Sequence, residues 1–505
     1  MNRKQLLTFI AMGIGVFLIA VDITSINVAL PAIEKSFAIG LGKVEWIING
    51  YTLAFGVLVV ITGRLADMYG RKRVFLFGVV LFAIASLIGG LAQDAGLLIA
   101  MRTLQGASAA VLWPAIVGIC YSSVSDSQKG YAVGLLFGVT GVGNSLGPLI
   151  GGALTEFLSW RWVLFVNIPL AVVAGLITIY VVSEQSAEDE EKGIDYIGII
   201  TISIALFSLL YVFDQSIVWG WLSFKTIGLL LTSIIFFFLF LKLEKNRDIA
   251  LIPDVVRNNR DFMLYCLTIA TLVPTFFCIF LYLPQYFEKF RHYSPLQAGL
   301  AMVPTVLAYA ITSPLAGNIY NKYGPKHTIL LGMALTCIGT FGIVVFGFAE
   351  SYFYIVPPFI LSGIGLGIGL TSITTSGVGA VKESMASLAG GVIMMFQLTG
   401  SALGIAIVTT IFIDTSVTDL MGKIKELDLN LSSSNIENIK SFILGSNTQQ
   451  VLENELGSSN VDKLFPYIRE SYVKGLKIGL SFTGFLLLIG TAITLFFTKT
   501  IVNKT

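Results

Sequence analysis

The sequence predicts an all-α polytopic membrane protein: two pseudo-symmetric six-helix bundles with two further transmembrane helices inserted between them. Three observations predict this. Of the 505 residues, 55% are hydrophobic and only 12% are charged, about half the charge of a soluble domain. Apolar runs of spanning length recur along the whole chain. A pattern of glycines in a short basic loop returns in the second half.

The composition leaves room for many crossings at ~20 apolar residues each. A net charge of +2 gives no basic face for nucleic acid and no acidic tail. The four cysteines, Cys120, Cys266, Cys278 and Cys337, lie in apolar runs without CxxC spacing. They read as free, small hydrophobic residues. The start, Met1 to Gln5, resembles the basic region of a signal peptide. Its apolar run continues through Asp22 to Pro31 without a small-x-small cleavage site, so it reads as a retained first helix.

The runs fall near 6–30, 44–62, 74–92, 97–119, 131–154, 163–182, 195–213 and 224–242. Six more lie near 262–283, 297–318, 327–348, 353–375, 388–413 and 477–498. Fourteen spans place both termini on one side. Loops on that side carry eighteen Lys and Arg, whereas the opposite short loops carry Lys35, Lys43, Arg161, Lys225, Lys289 and Arg291. The positive-inside rule therefore predicts cytoplasmic termini. The long polar insertion 414–476 then falls outside. Ser434 to Glu437 and Ser459 to Asp462 read within it as capping boxes, which predicts short amphipathic helices and an outer helical cap.

Gly63, Tyr69, Gly70, Lys72, Leu76 and Gly78 are echoed, at one offset of 254, by Gly317, Tyr323, Gly324, Lys326, Leu330 and Gly332. The shift spans eight helices, so both copies share one orientation, as in parallel repeats about an axis along the membrane normal. The predicted units are residues 1–186, a linker 187–250 that holds spans 7 and 8, and residues 251–505.

Asp22 stands in the middle of an apolar run, where a charge costs at least ~2.5–3.5 kcal/mol. Arg102 is the second intramembrane charge. At 1.5 Å per residue, Asp22 lies about 12 Å and Arg102 about 8 Å below the outer boundary. The two are thus at similar depth and able to pair. A carboxylate held between desolvation and a nearby cation is able to load and release a proton as its surroundings switch. The alternative is a permanent structural pair. In span 5, Gly143, Gly147 and Gly151 recur on one face beside Pro148, a smooth surface for close helix packing with a bend.

Four motifs resemble the major facilitator superfamily, and within it the fourteen-helix drug/proton antiporter branch. Gly63, Leu65, Ala66, Asp67, Gly70, Arg71 and Lys72 match the loop between spans 2 and 3. Arg102, Gln105 and Gly106 match span 4, while Gly134, Gly143, Gly147, Pro148, Gly151 and Gly152 match the antiporter motif of span 5. Asp22, Thr24, Asn27, Ala29, Leu30 and Pro31 match span 1, and Trp160, Trp162, Phe165, Asn167 and Pro169 close the block. The second half fits more loosely, through the repeat and Gln397 to Gly404. The resemblance implies a charge latch at Asp67 that favours one conformer, and a seal between the halves along the span 5 glycines. With Asn321 and Pro325 in place of the acid and the first base, any second latch is expected to be weaker.

The function expected is proton-coupled export of amphipathic or lipophilic compounds by alternating access, with Asp22 and Arg102 at the coupling site. Asn27, Gln105, Asn144 and Gln397 are the candidate polar handles of the cavity. The proton gradient is the energy source, with no cofactor and no metal. The partners are small amphipathic molecules, protons and the lipid bilayer, not nucleic acid, and the transporter is expected to work as a monomer in a bacterial plasma membrane. An exporter of an endogenous lipid, peptide or signalling metabolite is the alternative; a non-transporting scaffold or sensor is more remote. No Walker loop, HExxH or nucleophile elbow is present, so no enzyme chemistry is visible.

Overall fold

The computed structural model describes residues 3–39, 41–183, 193–245, 247, 249–426, 433–444 and 458–497. Among these, thirteen helices are long and apolar enough to cross a membrane, and there is no strand. The first bundle comprises α1 (Arg3–Phe37), α2 (Leu41–Tyr69), α3 (Arg71–Gly90), α4 (Ala95–Ser122), α5 (Lys129–Phe157), the short α6 (Trp162–Phe165) and α7 (Asn167–Val181). The inserted hairpin is α8 (Tyr196–Trp219) and α9 (Phe224–Glu244). Then come α10 (Asp254–Arg257), α11 (Arg260–Arg291), α12 (Pro295–Ala301), α13 (Val303–Phe346), α14 (Tyr352–Gly379), α15 (Ala386–Glu426), α16 (Ser433–Leu444) and α17 (Ser458–Phe497).

α13 has 44 residues, about 66 Å if straight and more than twice the hydrocarbon thickness. It is not straight. Gly324 interrupts it at φ 78°, ψ 170°, where the spans predicted at 297–318 and 327–348 meet. Thr305 faces Gly363 and Tyr309 faces Gly367, so this half rises with α14. Gly339 faces Ser362 and Gly332 faces Gly369, so the other half descends. The chain reverses at Gly324, as it does at Gly70, with φ 98°, between α2 and α3. Both repeat glycines thus supply the positive φ of a sharp reversal, which a Cβ opposes.

Two-fold pseudo-symmetry requires each contact between the halves to occur twice, and it does. α2 packs on α15, with Gly63 against Ser387 and Leu388 and Val59 against Gly391. The first half of α13 packs on α5, with Gly317 against Gly130 and Tyr131. The hairpin lies outside this core, against α2 and α15, through Ile61, Ile202, Leu206 and Phe240.

The predicted helix ends were too short at the latch-distal side. α15 continues thirteen residues past 413 to Glu426, and α17 begins at Ser458 rather than 477. With α16 these extensions form a helical cap over an aromatic core of Tyr286, Phe290, Phe442 and Tyr472. Lys289 Nζ donates to the carbonyls of Phe442 and Ile443 at 2.8 and 3.2 Å, closing the C-terminal end of α16. The end of α16 therefore needs a cation from α11, which local periodicity does not reveal.

Gly70→Ala and Gly324→Ala force a side chain into a strained backbone region, at ~1–3 kcal/mol each. Thermal unfolding in detergent is expected to show a lowered Tm for both, while Gly228→Ala, where a Cβ meets nothing within 4 Å, leaves it unchanged or raised.

Candidate functional site

Two polar sites stand apart in the first bundle. The first answers the cost of Asp22. Its carboxylate is fully buried, yet every oxygen is engaged. Oδ2 accepts from Arg102 Nη1 at 2.5 Å. Oδ1 accepts from Asn167 Nδ2 at 2.7 Å and from Gln105 Nε2 at 3.3 Å. Arg102, 1% exposed, also donates to Gln105 Oε1 at 3.0 Å and to the Ile47 carbonyl at 3.3 Å. Its guanidinium lies 4.6 Å over the Tyr51 ring. Gln105 Nε2 further donates to Ser86 Oγ at 2.8 Å. Residues from α1, α2, α3, α4 and α7 thus meet in one network. In a medium without water this is how opposite charges are retained: paired, hydrogen-bonded and covered by a π face.

Gln105 belongs to this buried network and does not line a cavity surface, contrary to its expected role as a substrate handle. Asn27 is exposed and Asn144 half-buried. Gln397 is 8% exposed, and its Nε2 has no partner among the described residues. Asn167, quoted with the motif but given no role, proves to be a direct ligand of Asp22. Its position at the start of α7, a polar residue leading an apolar run, was the available signal. Asp214 of α8 accepts from Asn49 Nδ2 of α2 at 2.8 Å.

The span 5 glycines divide between two neighbours. Gly143 meets Ala20, Gly147 meets Thr24, and Gly151 meets Ser25, so this face packs on α1 beside Asp22. The expected seal between the halves is made instead by Gly130, Gly134 and Gly138, against Gly317, Ser313 and Ala310 of α13. Gly138 and Gly143 differ by five positions, about 140° around the helix at 100° per residue. One helix therefore carries two smooth faces, and the sequence reading had merged them.

The second site is the latch. Asp67, at the end of α2, bonds Arg71 at 2.9 Å. It also accepts from the backbone amides of Ser387 and Leu388 at 3.2 and 2.7 Å. These are orphan donors in the first turn of α15, where a carboxylate is favoured by capping and by the helix dipole. Arg71 reaches on to the carbonyls of Glu383 at 2.5 Å and Gly118 at 3.3 Å. Lys129 adds an ion pair with Glu383 at 2.9 Å. Gly63 allows this approach, because a Cβ there would lie 2.8 Å from the Ser387 carbonyl oxygen. In the second copy Asn321 donates its side-chain amide to the Ser127 carbonyl. That is a neutral bond without an ion pair, weaker as expected. The described bonds between the halves gather at this one end of the molecule.

Residues 12–405 match the Major Facilitator Superfamily. The chain is 32% identical over 415 residues to the multidrug resistance protein Stp of Mycobacterium tuberculosis, covering 81% of this chain and 76% of that protein. It is 28% identical to the tetracenomycin C resistance and export protein of Streptomyces glaucescens, over 79% of this chain and 74% of that one. It is 30% identical to the puromycin resistance protein of Streptomyces alboniger, over 78% and 79%. In structure it resembles the human organic anion transporter MFSD10, with a TM-score of 0.63 over 98% of this chain and 100% of that one, at 11% identity. That likeness concerns the fold alone.

Arg102→Gln leaves a buried carboxylate without its cation, and a denaturation series is expected to show a loss of ~3–5 kcal/mol. Asp22→Asn combined with Arg102→Gln is expected to recover most of it; equal losses in the single and double variants would show that the pair is not coupled. Asp67→Ala removes the cap on α15 and is expected to lower the closed population at this end by ~1–2 kcal/mol, a factor of ~5–30. Spin-label distances between the latch ends of α2 and α15 report it, with Asp67→Asn intermediate.

Proposed function

The chain belongs to the major facilitator superfamily, and on that premise we propose that it exports amphipathic or lipophilic toxic compounds in exchange for protons. It is an integral plasma-membrane transporter, not an enzyme. The three resistance proteins to which it is similar support a drug as the cargo. The reversal at Gly324 supports reading α13 as two crossings, which makes fourteen in our proposal and puts both termini on the side rich in Lys and Arg. On this reading the latch end faces the cytoplasm, and the conformer described is closed there and committed to the outside.

Burial of Asp22 in a single ion-pair network is the observation that carries proton coupling. A proton on Oδ2 removes the charge that Arg102 neutralises, and the guanidinium is left with Gln105, the Ile47 carbonyl and the Tyr51 ring. Helix α1 then loses its strongest tie to α4. Because Thr24 and Ser25 sit directly on Gly147 and Gly151, a shift of α1 bears at once on α5. The opposite face of α5 is one of the two seams between the halves. Protonation at Asp22 is in this way linked to the seam without a relay of further acids. Asn27, Asn144 and Gln397 supply the sparse polar contacts to cargo.

Proteoliposomes with an imposed inward proton gradient test this, read together for a fluorescent lipophilic cation and for luminal pH. Gradient-driven cation movement with proton counterflow is expected in the wild type and absent in Asp22→Asn. Counterflow that survives in Asp22→Asn moves the coupling elsewhere and leaves Asp22 a structural partner of Arg102. Absence of cation movement in the wild type, with the protein folded, favours a dedicated endogenous cargo.

A further inference from the structure

The foot of the inserted hairpin holds two buried acids that the transport reading does not use. Asp195 caps α8, with Oδ1 accepting from the Gly198 amide at 2.9 Å and from Arg247 Nη1 at 2.8 Å. Glu244 ends α9, and its oxygens accept from the amides of Leu251 and Ile252 at 2.8 and 3.1 Å. Asp195 is 8% exposed and Glu244 1%. Both carboxyls crowd the space that Gly198 leaves open: a Cβ there would collide with Asp195 Oδ2 and with Glu244 Oε1. Asp195 Oδ2 and Glu244 Oε1 lie 2.3 and 2.6 Å from that one point, so the two oxygens are less than about 5 Å apart, close enough for each charge to disfavour the other.

As carboxylates neither group has a hydrogen to offer, and Asp195 Oδ2 has no partner among the described residues. A buried acceptor left so is costly, and two like charges at this range are not both held ionised. Among the described residues, Arg247 is the one charge that bonds the pair. Lys242 and Lys245 on α9 are exposed. α10 brings an internal pair, Asp254 with Arg257. α2, packed here through Ile61 and Leu65, carries Arg64, itself engaged. Among the described residues, two carboxylates against one guanidinium leave one negative charge, and one proton removes it.

We infer that Asp195 and Glu244 form a proton-binding site, one proton shared between Asp195 Oδ2 and Glu244 Oε1, which clasps α8 to α9 and to the strand of chain entering the second bundle. Protonated, the pair ties the hairpin foot to residues 251–252. Deprotonated, the two carboxylates repel each other, and the hold of α8 on the end of α9 weakens. Arg247, with its side chain 35% exposed, marks the side from which water reaches the pair. The site is separate from Asp22 and stands whether or not Asp22 couples transport.

The test uses full-length protein in the Asp22→Asn background, so that no signal comes from that acid. Infrared spectra are expected to contain the C=O absorption of one protonated carboxyl at neutral pH, lost in Asp195→Asn and in Glu244→Gln. The Tm of the parent is expected to fall as pH rises through the titration of the pair, because the folded state holds a proton that the unfolded carboxyls have released. In Asp195→Asn the amide Nδ2 donates permanently to Glu244, and this slope disappears. Variants that keep both the carboxyl absorption and the slope overturn the proposal. Should neither variant fold, 13C labelling of the aspartate and glutamate carboxyls in the parent decides it: a labelled protonated-carboxyl band supports the site, and its absence at neutral pH overturns it.

Discussion

One carboxylate organises the closed end of the molecule. Asp67 supplies the acceptor that the first turn of α15 lacks, and α15 belongs to the other half of the protein. A helix start buried without acceptors is unfavourable, so the two bundles complete each other only when docked in this register. The glycines at 63 and 118 follow from the same contact, since a side chain at either would collide with Ser387. So does Arg71, which neutralises the acid and bonds to Glu383 across the interface. The bond is strong enough to hold one conformer, yet it costs only ~1–2 kcal/mol to release. In the proposed alternating-access cycle, a contact that breaks each time has to be of that size.

Asp22 obeys a different constraint. Hydrocarbon offers no solvent to a charge, so its partners must come from the protein and be held in place by packing. The four helices that converge on α1 here do this, with Tyr51 and Ile47 on the turns of α2 far from the latch completing the shell around Arg102. The glycine face of α5 permits α1 to lie close enough for Asp22 to reach α4 and α7. Small residues and buried charge are therefore parts of one arrangement. Enlarging Gly147 would move Thr24, and with it the carboxylate two residues earlier.

Much of this was legible in the sequence, and the reasons are physical. Span positions follow from the hydrocarbon thickness, and the reversals at Gly70 and Gly324 follow from glycine pairs that no helix needs. The Asp22–Arg102 pair was legible because depth in a membrane is counted along a helix. Rotation about the helix was not legible to the same degree. Which face of α5 meets α1 and which meets α13 depends on where its neighbours stand, and Gln105 was placed in the cavity for want of that knowledge. The ends of α15 and α17 escaped because hydropathy reports where the membrane stops, whereas these helices continue into water, supported by the aromatic core that they share with α16. Asp195 and Glu244, 49 positions apart in sequence, carry no motif at all.

The repeat is most informative where its copies differ. Asp67 becomes Asn321, Arg71 becomes Pro325, and Asp22 aligns near Thr275. Each change removes a charge from the second bundle. What remains there is a population of buried hydroxyls, including those of Thr275, Thr305, Ser362, Thr371, Ser372, Thr374 and Thr375, without partners among the described residues. Unpartnered hydroxyls are cheaper to bury than charges, but they gain when water reaches them. α14, which carries five of these seven, is covered by α13, α11, α15 and α5 in this conformer. The charged bundle thus holds the closed state through Asp67, while the second bundle forgoes hydrogen bonds to keep its hydroxyls buried. The unpartnered hydroxyls of one bundle offset part of what the Asp67 latch contributes from the other, so the closed state is not too deep for the proposed transport cycle to leave.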